Sequence, residues 1–497
     1  MHGGLVLPVL QSAGMKSILK PLVGLCAVLL IARGAAGNAF AAERPNFVFI
    51  YTDDQRWDAL GVVQREQGDA ARFPWLATPH LDRLASEGIR FRNAFVVSSL
   101  CSPSRAAFLT GRYNHANGIA NNHTPFPAGA VTWATQLKGA GYRTGYIGKF
   151  HMGPMKGQRP GFDYSASFVG QGRYTDCPFE INGVSQPTTG WVDDVSTDFA
   201  IEFLKANRER PLALVVGFKS AHGPFQPPPR LADKYTSQTA RPTPNTSLAA
   251  VYSGNLTPRP AKAEKKKKAK AAPSVGSNPY RGYFGCLTAV DENVGRLLAA
   301  LDELKLAENT VVIFTSDNGF YLGEHGLGDK RTAYDESLRI PLLVRWPKLG
   351  DRGRSRLVDQ MALNIDLAPT LLDLAGVTIP AEMQGRSWRP LLENNAAAAA
   401  DWRKAFFYEY FYEANFTQIP TVLAVRTERA KLIKYPGHDD WTELFDLAAD
   451  PYETKNLAAD PASKELLAAM QAEYDRQAAA VRFQIPDYAD TLPAVAK

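Results

Sequence analysis

A chain of 497 residues, of which 45% are apolar, is long enough to bury one large hydrophobic core or two unequal ones. Its 39 glycines and 34 prolines indicate many turns and exclude a helical rod. The formal charge of +6 is concentrated in the N-terminal segment and in one lysine-rich run, so the rest of the chain is slightly acidic and no nucleic-acid partner is expected. We therefore expect a globular protein of a size typical of enzymes.

Residues 1–41 have the pattern of a secretory signal peptide. A basic lead, MKSILK, precedes the apolar stretch LVGLCAVLLIA and an Ala-x-Ala cleavage site at residues 39–41. A membrane span needs about 20 apolar residues, and this stretch is well short of that. The sequence predicts an exported protein, periplasmic or extracellular, without a membrane span.

Strand and helix patterns alternate through residues 42–395. Apolar, β-branched runs at 46–52 and 310–316 are typical of buried parallel strands. In chain order, the predicted elements are a strand at 46–52, a helix at 78–88 capped by Thr78, a strand at 211–218, a helix at 288–305, and strands at 310–316 and 340–346. This alternation predicts an α/β catalytic domain with a doubly wound, mostly parallel central sheet flanked by helices.

Residues 240–279 interrupt this domain. Their Pro, Ala, Thr and Ser content surrounds the run RPAKAEKKKKAK at 259–270, and such a composition cannot offset the entropy lost on ordering. We predict a flexible, solvated insertion. A tether to acidic polysaccharide or to another anionic surface is the alternative.

The chain changes character near residue 395. The segment NNAAAAAD (394–401) predicts a linker or a loose helix, and KAFFYEYF, TVLAVRT and AKLIKYP predict short alternating strands before a final helix at about 462–481. We expect residues 396–497 to form a smaller α+β subdomain with an antiparallel sheet. Aromatic residues at 406–416 could stack on sugar rings, but a strand with one buried face explains most of them.

Oxygen-bearing side chains directly follow two of the predicted strands, as Asp53-Asp54 and as Asp317-Asn318. In doubly wound sheets, ligands bind outside the carboxyl ends of the strands. Carboxylate and amide oxygens suit Ca²⁺ or Mg²⁺ better than zinc. Acidic residues after strands also form turns and helix caps, which explains most such pairs singly. Two pairs on apolar strands favour a cation site.

Cys101 lies in a small-residue turn, CSPSR, in which three residues separate it from Arg105. A reactive thiolate needs a lowered pKa, which Arg105 or a helix N-terminus near Ser102 could provide. In a protein-phosphatase loop, five residues separate the cysteine from the arginine. Only three separate Cys101 from Arg105, so the segment does not match that motif. A buried structural cysteine is the alternative. Whether Cys177 and Cys286 pair stays open.

The segment CSPSRAAFLTG (101–111) resembles the sulfatase signature C-x-P-S-R-x-x-x-L-T-G. Other segments resemble successive sulfatase blocks in the family's order: NFVFIYTDDQRWD, GYIGKFHMG (145–153), SAHGPF (220–225), FTSDNGFYLGEHGLGDKRTAYDESLRIPLLVRWP (314–347) and ELFDLAADPYETKNL (443–457). These blocks are most similar to N-acetylglucosamine-6-sulfatases and arylsulfatase-type glycan sulfatases. The resemblance implies an alkaline-phosphatase-like fold and the hydrolysis of sulfate monoesters on a sulfated carbohydrate or an aryl sulfate.

The resemblance also implies a metal centre with a modified residue. Asp53, Asp54, Asp317 and Asn318 resemble the protein ligands of one Ca²⁺ ion, and Mg²⁺ fits the same residues. Cys101 resembles the cysteine that a separate formylglycine-generating enzyme oxidises to formylglycine, which completes the metal shell.

Five further positions resemble residues that act on the substrate. Arg105 resembles the residue that holds the formylglycine hydrate, and Lys149 and His151 resemble the pair that contacts the sulfate and the hydrate. His222 and Lys330 resemble the groups beside the leaving-group oxygen. As a hypothesis, His222 protonates the departing alcohol and His151 takes the proton that drives sulfate expulsion, with both histidines titrating near neutral pH.

Two alternatives stay open at this point. A phosphomonoesterase or phosphodiesterase of the same superfamily would share the metal-plus-nucleophile logic, although such enzymes more often use Ser or Thr with several histidine ligands. The second alternative is a non-catalytic periplasmic glycan-binding protein. Such a protein would be expected to have lost at least one of the ten family site residues named above, and all ten are present.

Overall fold

The computed structural model describes residues 1–4, 44–253, 280–414 and 416–487. Contacts divide the chain into two units, Met1–Arg44 and Pro45–Lys497. Residues 5–41 of the predicted signal peptide, and the lysine run at 259–270, lie outside the described residues. Within the described part of the chain, no helix combines the length and the apolar character needed to cross a membrane.

Strands and helices alternate along the second unit. The strands are β1 Asn46–Thr52, β2 Ile89–Phe91, β3 Ala94–Phe95, β4 Arg143–Lys149, β5 Tyr164–Phe168, β6 Phe179–Ile181, β7 Val184–Gln186, β8 Leu212–Gly217, β9 Thr310–Ser316, β10 Leu342–Arg345, β11 Arg356–Val358, β12 Ala362–Leu363, β13 Ala405–Tyr410, β14 Val422–Thr427, β15 Ala430–Lys434 and β16 Glu443–Asp446. The α-helices are α1 Gly61–Gln67, α2 Pro79–Ser86, α3 Cys101–Thr110, α4 Asn114–Asn117, α5 Trp133–Gly139, α6 Val192–Asn207, α7 Arg281–Glu303, α8 Asp335–Leu338, α9 Leu367–Leu374, α10 Arg389–Leu392, α11 Ala396–Ala400 and α12 Lys464–Ala480.

A ten-stranded sheet forms the centre of this unit, in the order β11-β2-β10-β9-β1-β8-β4-β5-β6-β7. The strands β9, β1, β8, β4 and β5 are parallel neighbours, whereas β10, β6 and β7 run antiparallel to theirs. Alternate residues of β1 enter two different hydrophobic clusters, with Phe47 and Phe49 in one and Val48 and Ile50 in the other. Both faces of the sheet are therefore covered, which confirms the predicted doubly wound α/β fold.

The predicted helices are present, with two differences. Thr78 precedes α2, but its hydroxyl accepts a hydrogen bond from the backbone N–H of Gly61 at 2.8 Å and so ties α1 to α2 instead of capping α2. Helix α7 begins at Arg281, well before the predicted residue 288. The early turns contain Gly282 and Gly285, and a Cβ at Gly282 would lie 2.1 Å from the carbonyl oxygen of Phe225. Close packing therefore places glycines where a helical pattern expects larger residues.

A second sheet, β13-β14-β15-β16, is antiparallel, as predicted for the C-terminal part of the chain. The expected alternation along its strands is wrong, because every residue of β13 is buried. One face joins the main core through Phe406 and Tyr408, and the other packs through Ala405 on Met470 of α12. The aromatic residues 406–412 are buried, so they are not free to stack on sugar rings. The predicted boundary between residues 395 and 396 stays a prediction.

The start of the predicted flexible insertion packs on the body of the protein. The backbone N–H of Arg241 donates to the carbonyl of Arg72, and that of Ala250 donates to the carbonyl of His325. The side chain of Asn245 is fully buried. Residues 241–253 are therefore anchored to the body of the protein at these points, which corrects the predicted start of the flexible segment at residue 240.

Candidate active site

Four parallel strands end at the same level of the central sheet. Thr52 at the end of β1 pairs with Ser316 at the end of β9, and Gly217 at the end of β8 pairs with both Tyr51 and Gly148. The residues that follow these strands therefore meet at one edge, where ligands bind in doubly wound folds. Backbone hydrogen bonds hold these residues there. The N–H of Asp53 donates to the backbone carbonyl of Ser220 at 2.8 Å, and the N–H of Asp317 donates to the backbone carbonyl of Thr52 at 2.9 Å.

Cys101 is the first residue of α3, a helix that is buried along its whole length. Its Sγ lies 3.5 Å from Oδ1 of Asp53 and donates to it. Burial, together with the negative charge of Asp53, raises the pKa of the thiol to about 12. The lowered pKa that a reactive thiolate would need is therefore not found, because desolvation is the largest effect on this thiol.

Arg105 lies one turn further along α3 and bridges three strand ends. Its Nε and Nη2 donate to Oδ2 of Asp317 at 2.9 and 2.7 Å, and Nη2 also donates to Oδ2 of Asp53 at 2.8 Å. Nη1 donates to the backbone carbonyl of Lys149. The guanidinium, which is 1% exposed, thus holds the carboxylates in place. None of its described contacts is with Cys101.

Asp54 has a left-handed backbone conformation, with φ of 66°. Both its carboxylate oxygens accept from Nζ of Lys330, at 2.6 and 2.8 Å, and Oδ1 also accepts from Nδ2 of Asn318 at 2.6 Å. Burial raises the pKa of Asp54 to about 7 in spite of Lys330. A left-handed backbone costs free energy for a residue other than glycine, so the contacts around Asp54 must stabilise it. Such strained residues are common at functional sites.

Asp53, Asp54 and Asp317 form a candidate cation centre, because one carboxylate oxygen from each lies within 4.8 Å of the others. Oδ1 of Asn318 is buried without a hydrogen-bond partner among the described residues. Burial and the charge of Asp53 both raise the pKa of Asp317. The buried carboxylates therefore repel one another electrostatically. An oxygen-only donor set of this kind fits a hard cation such as Ca²⁺ or Mg²⁺.

Two histidines complete the site. One ring nitrogen of His222 lies within 4.8 Å of both Asp53 and the thiol of Cys101. Its Nδ1 lies 2.8 Å from the carbonyl of Gly223, so Nδ1 carries the proton and Nε2 presents a lone pair. Burial and the charge of Lys149 lower the pKa values of His151 and His222 well below their usual range. Both shifts favour the neutral imidazole, which runs against the expectation that both histidines titrate near neutral pH.

The profile of the family described as Sulfatase matches residues 45–377. The chain belongs to the sulfatase family. A second profile, described as N-sulphoglucosamine sulphohydrolase, C-terminal, matches residues 323–480 of this sulfatase. The family resemblance noted in the sequence is thereby confirmed, and the chain is a sulfuric ester hydrolase.

Relatives of the sulfatase match along most of its length. It is 33% identical over 501 residues to an N-acetylglucosamine-6-O-sulfatase of Bacteroides thetaiotaomicron, covering 89% of this chain and 88% of the relative. It is 29% identical to an ulvan-active sulfatase of Formosa agariphila, covering 90% and 83%. A solved structure of a protein in complex with its substrate D-glucosamine-2-N,6-O-disulfate is 30% identical, with a TM-score of 0.78, covering 90% of this chain and 100% of the other.

Three residues of the sulfatase site were missed by the sequence analysis: Gln171, which is partly buried, and Asp193 and Lys219, which are buried. Gln171 accepts from Nζ of Lys149, and the backbone carbonyl of Gln171 accepts from Nζ of Lys219 at 2.9 Å. Asp193 on α6 accepts from the backbone N–H groups of Lys219 and Ser220 at 2.8 and 3.0 Å. Burial and the charge of Lys149 lower the pKa of Lys219 to about 8. These residues carry no motif, and Lys219 directly precedes the recognised SAHGPF block.

A second buried group in the sulfatase consists of His325, Glu336 and Glu453. Nδ2 of Asn245 donates to Oε1 of Glu336 at 2.8 Å, and Nζ of Lys431 lies 2.6 Å from Oε1 of Glu453. Burial, with the charge of Glu453, raises the pKa of Glu336 to about 7. Cys177 and Cys286, the other two cysteines in the described part of the chain, are buried and free, so they do not pair with each other.

Proposed function

We propose that this sulfatase is exported, acts on sulfate monoesters of carbohydrates, and uses a formylglycine made from Cys101. The observation that carries the proposal is that ligand atoms of Asp53, Cys101 and His222 lie within 4.8 Å of one another, beside the carboxylate cluster of Asp53, Asp54 and Asp317. The glycan assignment is supported by the named relatives, which act on N-acetylglucosamine 6-sulfate and on ulvan.

The surroundings of Cys101 argue against direct use of its thiol. The Sγ is buried and donates to Asp53, so it is not held as a nucleophilic thiolate. A serine sulfated on oxygen would be another stable sulfate ester and would stall the enzyme. Formylglycine, once hydrated, supplies a hydroxyl nucleophile together with a second hydroxyl whose deprotonation releases the sulfate.

Positive charge surrounds the place where a sulfate monoester would bind. Asp53, Asp54, Asp317 and Asn318 would hold Ca²⁺, which supplies positive charge for the sulfate oxygens when bound. The buried ammonium groups of Lys149 and Lys330 add fixed donors for the same anion. Because the protein contributes mainly position and charge in such transfers, these groups favour the transition state over the ester.

The histidines handle protons in this proposal. His222 Nε2 presents a lone pair, so it takes up a proton before it donates one to the departing alcohol. Nδ1 of His151 is buried without a partner among the described residues and is therefore available to accept the proton that accompanies sulfate release. His151 has a left-handed backbone conformation, with φ of 45°.

Mass spectrometry of the peptide that carries residue 101 tests the proposal. Protein produced with a formylglycine-generating enzyme should show an aldehyde in place of the thiol, and hydrolysis of an aryl sulfate and of N-acetylglucosamine 6-sulfate should follow the aldehyde fraction. Activity from unmodified Cys101 or from Cys101→Ala would overturn the mechanism, and cleavage of an aryl phosphate in its place would favour the phosphoesterase alternative.

Export is tested separately. Periplasmic or extracellular recovery of a chain whose N-terminus lies near residue 42 is expected. A full-length chain retained in the cytoplasm would contradict this part of the proposal.

A further inference from the structure

Lys149 lies between two side-chain acceptors at the end of β4. Its Nζ donates to Oδ2 of Asp53 and to Oε1 of Gln171, which lies three residues beyond the end of β5. An ammonium group only donates, so the acceptor edge of the Gln171 amide must face Lys149. The orientation of this amide is therefore fixed by chemistry.

The backbone of Gln171 is held by a second buried lysine. Nζ of Lys219 donates to the carbonyl of Gln171 at 2.9 Å and lies 4.8 Å from the centre of the Tyr174 ring. The hydroxyl of Tyr174 donates in turn to the carbonyl of His222 at 2.6 Å. The loop after β5 is thus anchored to the segment that carries His222, and its position does not depend on the contact between Gln171 and Lys149.

We propose that Gln171 is a positioning residue for Lys149. An ammonium group has three N–H donors. Asp53 takes one and Gln171 takes another, which directs the third to the sulfate. The inference rests on the proposed function, in which Lys149 contacts the sulfate group of the ester. Without Gln171, the flexible Lys149 side chain retains its charge but loses its fixed direction.

The first test replaces Gln171 by Met, which has a similar length and no amide acceptor. We expect kcat/KM to fall about 10- to 100-fold, as when a catalytic group is misplaced by about 1 Å. Competitive inhibition by inorganic sulfate should weaken, while the melting temperature stays unchanged because Lys219 still holds the loop. Gln186→Met, on the exposed edge strand β7, is the matched control and should behave like the wild type.

A double-variant comparison distinguishes positioning from a general structural effect. If Gln171 acts through Lys149, adding Gln171→Met to Lys149→Met should cause no further loss of inorganic-sulfate binding, measured by calorimetry. Wild-type kinetics in Gln171→Met, or a full additional loss in the double variant, would overturn the inference. A wild-type enzyme inactive on all sulfate esters would refute the proposed function instead, and the sulfate-binding comparison would still decide the role of Gln171.

Discussion

Replacing Arg105 by Met removes the cation that lies between two fully buried carboxylates. Arg105 is 1% exposed, and its partners Asp53 and Asp317 are 0% exposed at 2.7–2.9 Å. Removal of one partner from a buried ion pair costs about 3–5 kcal/mol, because the charge left behind has no compensation. Met keeps most of the side-chain length, so the expected loss is electrostatic in origin. The free energy of unfolding, measured by urea titration at neutral pH, should fall by that amount.

An exposed arginine gives the matched control. Arg230 donates to both carboxylate oxygens of Asp194, at 2.8 and 3.0 Å, but the side chains are 46% and 26% exposed. Arg230→Met should therefore cost less than about 1 kcal/mol, since water screens an exposed pair. Equal shifts in the two urea midpoints would refute the reasoning, because they would show that Lys149 and Lys330 alone neutralise the buried carboxylates.

Two further changes test the packing and the buried acids. Gly148 has φ of 85°, and an added Cβ would lie 2.1 Å from the carbonyl oxygen of Gly217, so Gly148→Ala should destabilise the fold by about 2–5 kcal/mol in thermal unfolding. Gly139→Ala, with open space around it, should cost nothing, and equal melting temperatures would contradict the prediction. Burial raises the pKa of Glu336 from 4.5 to about 7, so the folded state holds this proton more tightly than the unfolded chain does. Stability should therefore fall as pH rises from 4.5 to 7, by about 3 kcal/mol from this group, and Glu336→Gln should remove that part of the slope in urea midpoints. An unchanged slope would show that Glu336 is ionised in the folded protein.

The central strands were predictable because their environment is uniform. β1 and β9 are buried on both faces, so each is a continuous apolar run, and the observed bounds match the predicted ones. The C-terminal strand β13 is buried on both faces as well, although its sheet is antiparallel and exposure of one face was expected. Which elements cover that sheet depends on tertiary packing, and no local pattern encodes it.

The protonation states were not predictable from residue types. A helix N-terminus stabilises a negative charge by about 0.3–1 kcal/mol, and a neighbouring arginine adds to this only if it faces the thiol. In the folded protein Arg105 faces the carboxylates, while Cys101 is completely buried next to Asp53. Burial therefore decides the sign of the pKa shift, and burial is a property of the whole fold.

The difference between local patterns and properties of the whole fold also explains which site residues could be predicted from the sequence and which could not. Asp53 and Asp317 follow their strands directly, so a local pattern places them at the sheet edge. Gln171 reaches the site only because β5 pairs with β4, which sets Phe168 beside Lys149 and brings the next loop over the ammonium group. Strand pairing is a long-range choice that leaves no periodic signal in either segment. Residues that hold catalytic groups in place are therefore to be sought in loops after strands adjacent to the motif-bearing ones.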